Sequence, residues 1–514
     1  MTHMTIVPVL LPFTSAVVMI ILGERRLGVQ RALSLLSCGT LLVIASAAVG
    51  RASSGAIEVY RLGDWPAPFG IVLVLDRLAA LMLALTAVVA GVSLAAALTG
   101  SPAWDTRGRH FHPLFQLQLM GLNGAFLTGD LFNLFVFFEV LLIASYCLLV
   151  HGRGQERVRA GFHYVVVNLA ASTLFVIGIA LLYGLTGTLN LADLALRVPR
   201  AAAADASLVH AAGLLLLVVF ALKAAIFPLS LWLPRAYATA PAPIAALFAL
   251  MTKVGIYAIL RVHSVVFGLD AAFASLAAWP WILGGAVATA IFGALGTFAA
   301  RSLSTMTAYL TLVSVGTALI AVGMSSDAGL SAALYYLVHS TLVLAGLFLL
   351  ADSTAAQRGH DRFERSAPVA QPAVLGTLFL VGAVSVAGLP PLSGFVGKLA
   401  ILHATAASPA VPVLWTVLLG TGFLAMIALA GAGSALFWKT TDERAPAARA
   451  SLARLAPTIT LLAGGVALAL FAAPILRFTD AAAEQVADRR AYAATLLGEA
   501  DQPTARPFPP ERSR

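Results

Sequence analysis

Residues 220–243 read FALKAAIFPLSLWLPRAYATAPAP. A lysine, Lys223, stands inside an apolar run; Pro228 follows it, with Pro234 beyond. Each proline removes a backbone donor and frees the carbonyl four residues back, at Ala224 and Ser230. Such a stretch is too apolar for a surface helix and too interrupted for a straight membrane crossing. Non-helical backbone is tolerated at membrane depth only where protein or water satisfies it. The stretch therefore predicts a broken membrane helix that carries a cation beside its break.

The rest of the chain agrees. Of 514 residues, 60% are hydrophobic and 11% charged, against roughly 45–50% and about 25% in soluble domains. Hydropathy gives fourteen spans, near 4–22, 32–50, 71–99, 111–128, 131–150, 163–184, 208–233, 242–261, 276–299, 304–323, 329–351, 373–406, 412–437 and 455–475. At ~20 residues each they occupy about 280 residues, which argues against a fused nucleotide-binding or catalytic module. The N-terminal MTHMTIVPVLLPFTSAVVMIILGERR has no basic start and reads as a first span, not a removed signal. Cys38 and Cys147 lie in apolar runs and give neither a disulfide framework nor metal-ligand spacing. The net charge of +9 is spread over short basic loops, with no basic block interleaved with aromatics, so nucleic acid is not an expected partner.

The basic residues test the span map. Seventeen fall in loops on one side: Arg25, Arg26, Arg31, Arg107, Arg109, Arg153, Arg157, Arg159, Arg235, Arg301, Arg358, Arg362, Arg365, Lys439, Arg444, Arg449 and Arg454. Five fall on the other: Arg51, Arg61, Arg197, Arg200 and Arg261. That asymmetry puts the first side in the cytoplasm and both termini outside, in a multi-pass protein of the cell inner membrane. The tail from Arg477 begins alanine-rich, with a helical tendency, and ends in QPTARPFPPERSR (502–514), which reads as disordered.

The chain has 28 arginines and four lysines, and three of the lysines, Lys223, Lys253 and Lys398, sit inside apolar spans. Guanidinium stays charged, whereas a desolvated ammonium can lose its proton near neutral pH. A lysine at mid-membrane costs at least ~2.5–3.5 kcal/mol. One such lysine is compatible with snorkelling from a helix end; three together point to proton chemistry. Of nine glutamates only Glu139, in GDLFNLFVFFEVLLIASYCLLVHGR (129–153), lies near the centre of a span. It reads either as a neutral, hydrogen-bonded packing residue or as the ion-paired partner of a membrane lysine. Asp130 starts the same helix at the interface. Asp76 starts the third long span beside Arg77, where a structural interfacial role is at least as good a reading. His339, in ALYYLVHSTLVLAGLFLL, is mid-span; alone it would be a packing residue, but beside buried lysines a relay role is the better reading.

Lys398 lies in VSVAGLPPLSGFVGKLAIL, where Gly388, Pro390, Pro391 and Gly394 interrupt the run. Two Pro-interrupted lysine helices five spans apart suggest inverted repeats with broken helices at the pathway, since an odd spacing reverses orientation. Proline kinks for packing alone are the alternative. The expected fold is an all-α polytopic membrane protein of about 14 transmembrane helices, with two inverted five-helix repeats and broken helices 7 and 12. Residues 1–110 hold helices 1–3, 111–270 the first repeat and 271–437 the second; helix 14 occupies 438–476 and a polar tail 477–514. The row Glu139–Lys223–Lys253–His339–Lys398 would pass protons laterally through the membrane middle, bridged by Ser, Thr (Thr252 adjoins Lys253) and water. Separating Glu139 from Lys223, or bringing a cation to the carboxylate, would release the proton. Coupled titrations are expected among like-charged lysines.

Four stretches closely resemble the antiporter-like subunits shared by Mrp-type Na+/H+ antiporters and respiratory complex I. They are TGDLFNLFVFFEVLLIASY (128–146), ALKAAIFPLSLWLPRAY (221–237), APIAALFALMTKVGIYAILRV (242–262) and GLPPLSGFVGKLAI (388–401). The resemblance covers nearly the whole chain and looks most like the D-type component of an Mrp (Mnh/Pha/Sha) antiporter. It implies that the family's helix-five glutamate falls on Glu139, and its helix-seven, helix-eight and helix-twelve lysines on Lys223, Lys253 and Lys398. Its helix-eleven histidine falls on His339. It also implies a hetero-oligomer with a large A-type component and smaller membrane subunits, exchanging cytoplasmic Na+ or K+ for external protons. No flavin, iron–sulfur centre or quinone is implied for such a subunit, which is a transporter component and not an enzyme. The chain departs from many relatives in the less polar RSLSTMTAYLTLVSVGTAL (301–319) and at Leu344, both of which bear on the relay between Lys253 and Lys398. The alternative is a proton-pumping membrane subunit of an NADH:quinone oxidoreductase or a membrane-bound hydrogenase. A scaffold subunit with vestigial lysines is a third possibility. Glu139 by itself does not make a sodium site, because hard cations want several oxygens.

Overall fold

The structure, a computed structural model, describes residues 2–100, 103–152, 154–268, 275–441 and 449–498. The stretch 502–514 and the loop residues Arg153 and Arg444 lie outside the described residues. Among the described residues, eleven helices are long and apolar enough to cross a membrane, and two shorter apolar helices, Val7–Leu22 and Pro372–Ala387, stand with them.

The central post is Asp327–Arg358, a 32-residue helix whose apolar stretch is buried on every side. A helix that is apolar all round belongs in a core. Leu303–Val322, Ser393–Thr405, Leu452–Leu470 and Ala472–Ala487 pack against it. Peripheral helices turn Ile143, Phe162, Trp281 and Leu380 outward. Those exposed apolar faces suit lipid or neighbouring subunits. Close helix approach is set by small residues. At Gly255 an added Cβ would lie 2.3 Å from the Ala224 backbone nitrogen, so the Lys253 helix is pressed directly against the end of the Lys223 helix.

Both lysine helices are broken, and by the same turn. Ala206–Ala224 ends on Ala225, left-handed at φ 60°; the chain passes a cis Phe227–Pro228 bond and becomes helical again at Leu233–Thr239. Pro372–Ala387 ends on Gly388, left-handed at φ 81°; a cis Pro390–Pro391 bond follows, then the helix Ser393–Thr405. In each, a Pro-Leu-Ser triplet follows the left-handed residue at the same interval: Pro228–Leu229–Ser230 and Pro391–Leu392–Ser393. The span expected at 373–406 is therefore two helices, and that at 208–233 is one helix and the turn, with the second helix running on to Thr239. The expected span 242–261 is also subdivided, into Ala242–Phe248, Met251–Ile259 and a π-helical stretch Leu260–Phe267.

Three elements depart from the expectation from sequence. A two-stranded antiparallel hairpin, Glu58–Arg61 with Val72–Leu75 in register Glu58↔Leu75, interrupts the all-α pattern. Its second strand is fully buried, and hydropathy had merged those four apolar residues into the following span. A non-spanning helix, Leu191–Ala204, sits between two crossings, capped by Asn190. The tail is helical at its start, as expected, but it is also packed up to Gly498: Ala472–Ala487 and Arg489–Leu497 bury Ala482, Ala483 and Tyr492.

The arginines sort into two faces. Arg31–Asp105, Arg109–Glu24, Arg235–Glu156 and Arg454–Asp352 are ion pairs on one face. On the other, Arg51 pairs with Glu58 and Arg61 donates to the Leu496 carbonyl. Thr5 reaches Glu58 as well, so the N-terminal turn and the helices of the tail share that second face.

Candidate functional site

Lys223 occupies the last turn of its helix and is 5% exposed. Its ammonium donates to Asn168 Oδ1 at 3.3 Å and lies 5.9 Å from the centre of the Phe138 ring. Asn168 belongs to Gln155–Thr186, where Ser172, one turn on, donates to Glu139 Oε1 and has the Asn168 carbonyl 3.1 Å away as the other acceptor in reach. Glu139, on Leu131–Leu149, is partly buried at the edge of an outward face. The expected direct pair of Glu139 with a membrane lysine is absent: among the described residues Glu139 joins no ion pair within 4.0 Å, and Asn168 and Ser172 stand between the two charges. Ser172 and Asn168, one turn apart on one helix, nonetheless link the carboxylate to the ammonium.

Lys253 is 1% exposed and donates to Ser314 Oγ at 3.0 Å; Ser314 in turn donates to the Thr311 carbonyl at 2.8 Å. The 301–319 stretch, unusual for its apolar wording, thus still supplies the polar partner. Beside it the Thr252 hydroxyl is buried without a partner among the described residues.

His339, 1% exposed, makes a 2.8 Å hydrogen bond from Nδ1 to Ser393 Oγ, the first residue of the helix beyond the second break. Glycine is required next in the chain, because a Cβ on Gly394 would lie 1.8 Å from the Ser385 carbonyl oxygen and 3.0 Å from His339 Nε2. Lys398 folds back over the turn and donates to the Val386 and Ala387 carbonyls at 3.0 and 2.9 Å. These are the last carbonyls of the preceding helix, whose dipole favours a cation there. Lys398 is half-buried and lines a cavity of about 260 Å3 bounded by Phe395, Leu402, Leu418 and Phe423. The three inner members of the row are sealed, then, while Glu139 and Lys398 at its ends reach partly exposed edges.

Asp76 and Arg261 were the two charges least well read from sequence. Arg261 is not in a loop; it is 2% exposed and forms a bidentate pair with Asp76 at 2.5 and 2.8 Å. Its Nε donates to Tyr257, which donates to the Phe126 carbonyl. Arg77, the expected neighbour of Asp76, instead donates to the Ala481 carbonyl. Asp130 caps its helix by accepting from the Asn133 amide at 2.8 Å, and burial pushes its carboxyl up to about 6. Asn168, Ser172, Ser314 and Ser393 escaped the sequence reading because a lone amide or hydroxyl in an apolar helix carries no spacing signal. No group of three His, Cys, Asp or Glu suited to a metal occurs among the described residues.

The family model described as "NADH:quinone oxidoreductase/Mrp antiporter, TM" matches residues 128–427. The chain is 43% identical to the probable K(+)/H(+) antiporter D-type component of Rhizobium meliloti (strain 1021), over 94% of this chain and 95% of that one. It is 37% identical to the corresponding Na(+)/H(+) antiporter D-type component of Alkalihalophilus pseudofirmus, over 97% and 100%. Among solved structures, a chain of the Mrp complex from Dietzia sp. DQ12-45-1b superposes with a TM-score of 0.88 at 29% identity, covering 97% of this chain and all of that one.

Proposed function

The chain belongs to the NADH:quinone oxidoreductase/Mrp antiporter transmembrane family, and on that premise we propose that it is the proton-translocating subunit of a multisubunit Na+(K+)/H+ antiporter. It exchanges cytoplasmic monovalent cation for external protons and is not itself an enzyme. The carrying observation is the graded burial of the row: Lys223, Lys253 and His339 are sealed, each with one neutral partner, and Glu139 and Lys398 open at the edges. A proton held on a sealed ammonium is exchanged only along the row. The partly buried ends are where the rest of the complex, a large A-type component and small membrane subunits, would continue it. Asn168 and Ser172 bridge Glu139 to Lys223; Ser314 faces Lys253, and Ser393 faces His339. A cation that neutralises Glu139 removes its hold on the Lys223 proton, which then moves inward.

The repeated turn at Ala225 and Gly388, each with its Pro-Leu-Ser triplet, supports two inverted repeats, 111–270 and 271–437, within fourteen crossings. The arginine-rich face is cytoplasmic on this reading, and both termini are external, in the cell inner membrane.

The test uses everted vesicles from an antiporter-deficient host expressing the complete operon. A respiration-driven pH gradient is set up, Na+ or K+ is added, and dequenching of a pH dye is recorded. Cation-dependent dequenching is expected from the wild-type complex and not from assembled Lys223→Ala, Lys223→Arg or Glu139→Gln complexes, since Arg keeps its charge. Retained transport in assembled Lys223→Arg sinks the titrating-lysine mechanism. No dequenching from an assembled wild-type complex turns the assignment to a redox-driven pump.

A further inference from the structure

Three buried side chains stand at four-residue spacing along the Lys253 helix: Lys253, Tyr257 and Arg261, each no more than 2% exposed. Residues four apart share one face of a helix. From Lys253 to Arg261 is about 12 Å of helix. The stripe runs from the row into the π-helical stretch Leu260–Phe267, on which the tail helices Ala472–Ala487 and Arg489–Leu497 pack. It therefore points from a membrane lysine to the face that carries the hairpin and the tail. A polar stripe of that kind is where a water wire would form.

Every polar group on the stripe is instead engaged within the protein. Lys253 donates to Ser314 Oγ, and the Tyr257 hydroxyl donates to the Phe126 carbonyl at 2.7 Å. All three guanidinium nitrogens of Arg261 donate: Nε to the Tyr257 hydroxyl at 3.1 Å, Nη1 to Asp76 Oδ2 at 2.5 Å and Nη2 to Asp76 Oδ1 at 2.8 Å. Asp76 Oδ1 also accepts from the Ala79 amide at 2.8 Å, capping the helix Arg77–Thr99. Two aromatic rings lie beside the guanidinium, Tyr257 at 5.4 Å and Tyr492 at 5.6 Å. Tyr492 is 1% exposed and sets the tail helix against the pair.

The two cations of this helix differ in chemistry. A buried ammonium can give up its proton, and a guanidinium does not. A buried ion pair is weak evidence for stability, since apolar residues of similar volume often serve as well. Its place at the outer end of a polar stripe supplies another reason for it. We propose that the Asp76–Arg261 pair is the external seal of the row: it excludes water between the outer face and Lys253, so that protons reach Lys253 only along the row. The proposal rests on the antiport reading, which defines the row and the outer face. A proton arriving at Lys253 straight from outside would bypass Glu139 and Lys223 and dissipate the gradient without moving a cation. The pair itself carries no proton; it keeps the exchange obligatory.

The test uses assembled complexes in everted vesicles, whose lumen corresponds to the outer face, in a medium free of Na+ and K+. Respiration is stopped and the decay of the pH gradient is recorded. Asp76→Ser with Arg261→Ala keeps a cap for Ala79 but leaves a void with the Tyr257 hydroxyl in its wall. Water enters such a void, and the gradient should decay at least about threefold faster than in wild type. Asp76→Ser with Arg261→Met removes the same charges, fills the space and should decay as wild type does. Adding Lys253→Leu to the leaky complex should restore the wild-type decay, because the leak runs through that ammonium; a leak from poor packing alone would persist. No extra leak from the alanine complex, equal leaks from the alanine and methionine complexes, or a leak that survives Lys253→Leu overturns the proposal. A second measurement needs no variant, and decides the matter should the alanine complex fail to assemble: amide hydrogen–deuterium exchange on the purified wild-type complex. Amides of residues 254–261 should stay protected as long as those of the central post Asp327–Arg358, and their rapid exchange overturns the seal. Should wild-type vesicles show no cation response while the leak contrast holds, the antiport reading is what has failed.

Discussion

At the first helix break the lysine precedes the turn; at the second it follows. With the Pro-Leu-Ser triplets superimposed, Lys223 falls on Val386 and Lys398 on Arg235. Yet Lys398 runs back across the turn until its ammonium reaches the Val386 carbonyl at 3.0 Å, the position matching Lys223. The side chain can take that course because Gly388 has no Cβ, which would sit 2.5 Å from Lys398 Cδ. At the first break Arg235, which matches Lys398, goes to Glu156 instead, and the turn carries Ala225. Each turn thus has an ammonium beside it, reached from opposite sides. The difference lies in what holds it. Lys398 is held by the carbonyls of its own segment, Lys223 by a side chain, Asn168, on a neighbouring helix. The Lys223 proton is therefore sensitive to relative movement of two helices; the Lys398 proton is sensitive mainly to what fills its edge cavity.

The largest effect that would break this comparison concerns Asn168. Asn168→Leu leaves a buried ammonium without its acceptor, a loss of about 1.5–3 kcal/mol for a hydrogen bond to a charged group. Asn168→Asp does the opposite and fixes the ammonium as a permanent ion pair. Both should lower transport by roughly thirtyfold or more, about 2 kcal/mol, the first with loss of thermal stability and the second without. No single side-chain deletion can do the same at Lys398, whose acceptors are backbone. An Asn168→Leu complex that assembles and transports at the wild-type rate would show that both lysines are held by backbone alone.

An intermediate effect lies in the turn itself. Gly388→Ala places an L-residue in the left-handed region, about 1–2 kcal/mol, and drives its Cβ into Lys398. It should destabilise the complex in thermal melts and lower transport, since the Lys398 side chain must leave its course. Ala225→Gly relieves left-handed strain at the first break, offset by glycine's extra freedom in the unfolded chain. It should leave stability unchanged or raise it by up to about 1 kcal/mol. Equal losses from both substitutions would mean that the two turns are not equivalent.

Much of this was legible in the sequence. Lysine in apolar runs has few physical excuses, and Pro-rich interruptions beside two of them announced the breaks. What stayed hidden was pairing. Hydropathy treats Val72–Leu75 as membrane because it sees apolarity, not the hairpin register with Glu58–Arg61 that buries it. Arg261 counts as a loop cation until Asp76, 185 residues earlier, is seen against it. Asn168, Ser172, Ser314 and Ser393 are single polar residues whose importance comes from the charge each faces across a helix interface. Most of the sorted arginines do gather on two faces, because a loop keeps its side even when span ends are off by a few residues. The helical start of the tail was legible, but its packing was not: Ala472–Ala487 and Arg489–Leu497 are polar enough to look solvated, and bury only one stripe.

The smallest test compares the two serines of the repeated triplet, both fully buried. Ser393 is bonded to His339 at 2.8 Å, whereas the Ser230 hydroxyl has no partner among the described residues. Removing a bonded hydroxyl costs about 1 ± 0.5 kcal/mol, while removing a buried unsatisfied one is neutral or stabilising. Ser393→Ala should therefore lose about that much stability, and it should slow transport several-fold, because His339 loses the group that fixes its ring. Ser230→Ala should change stability by less than about 0.5 kcal/mol and leave transport alone. The contrast isolates what the second break has and the first lacks: a histidine reading the start of the helix beyond the turn. If Ser230→Ala slows transport as much as Ser393→Ala, the serine serves the turn and not the histidine, and His339 must be oriented by its neighbour Tyr336, 5.5 Å away ring to ring.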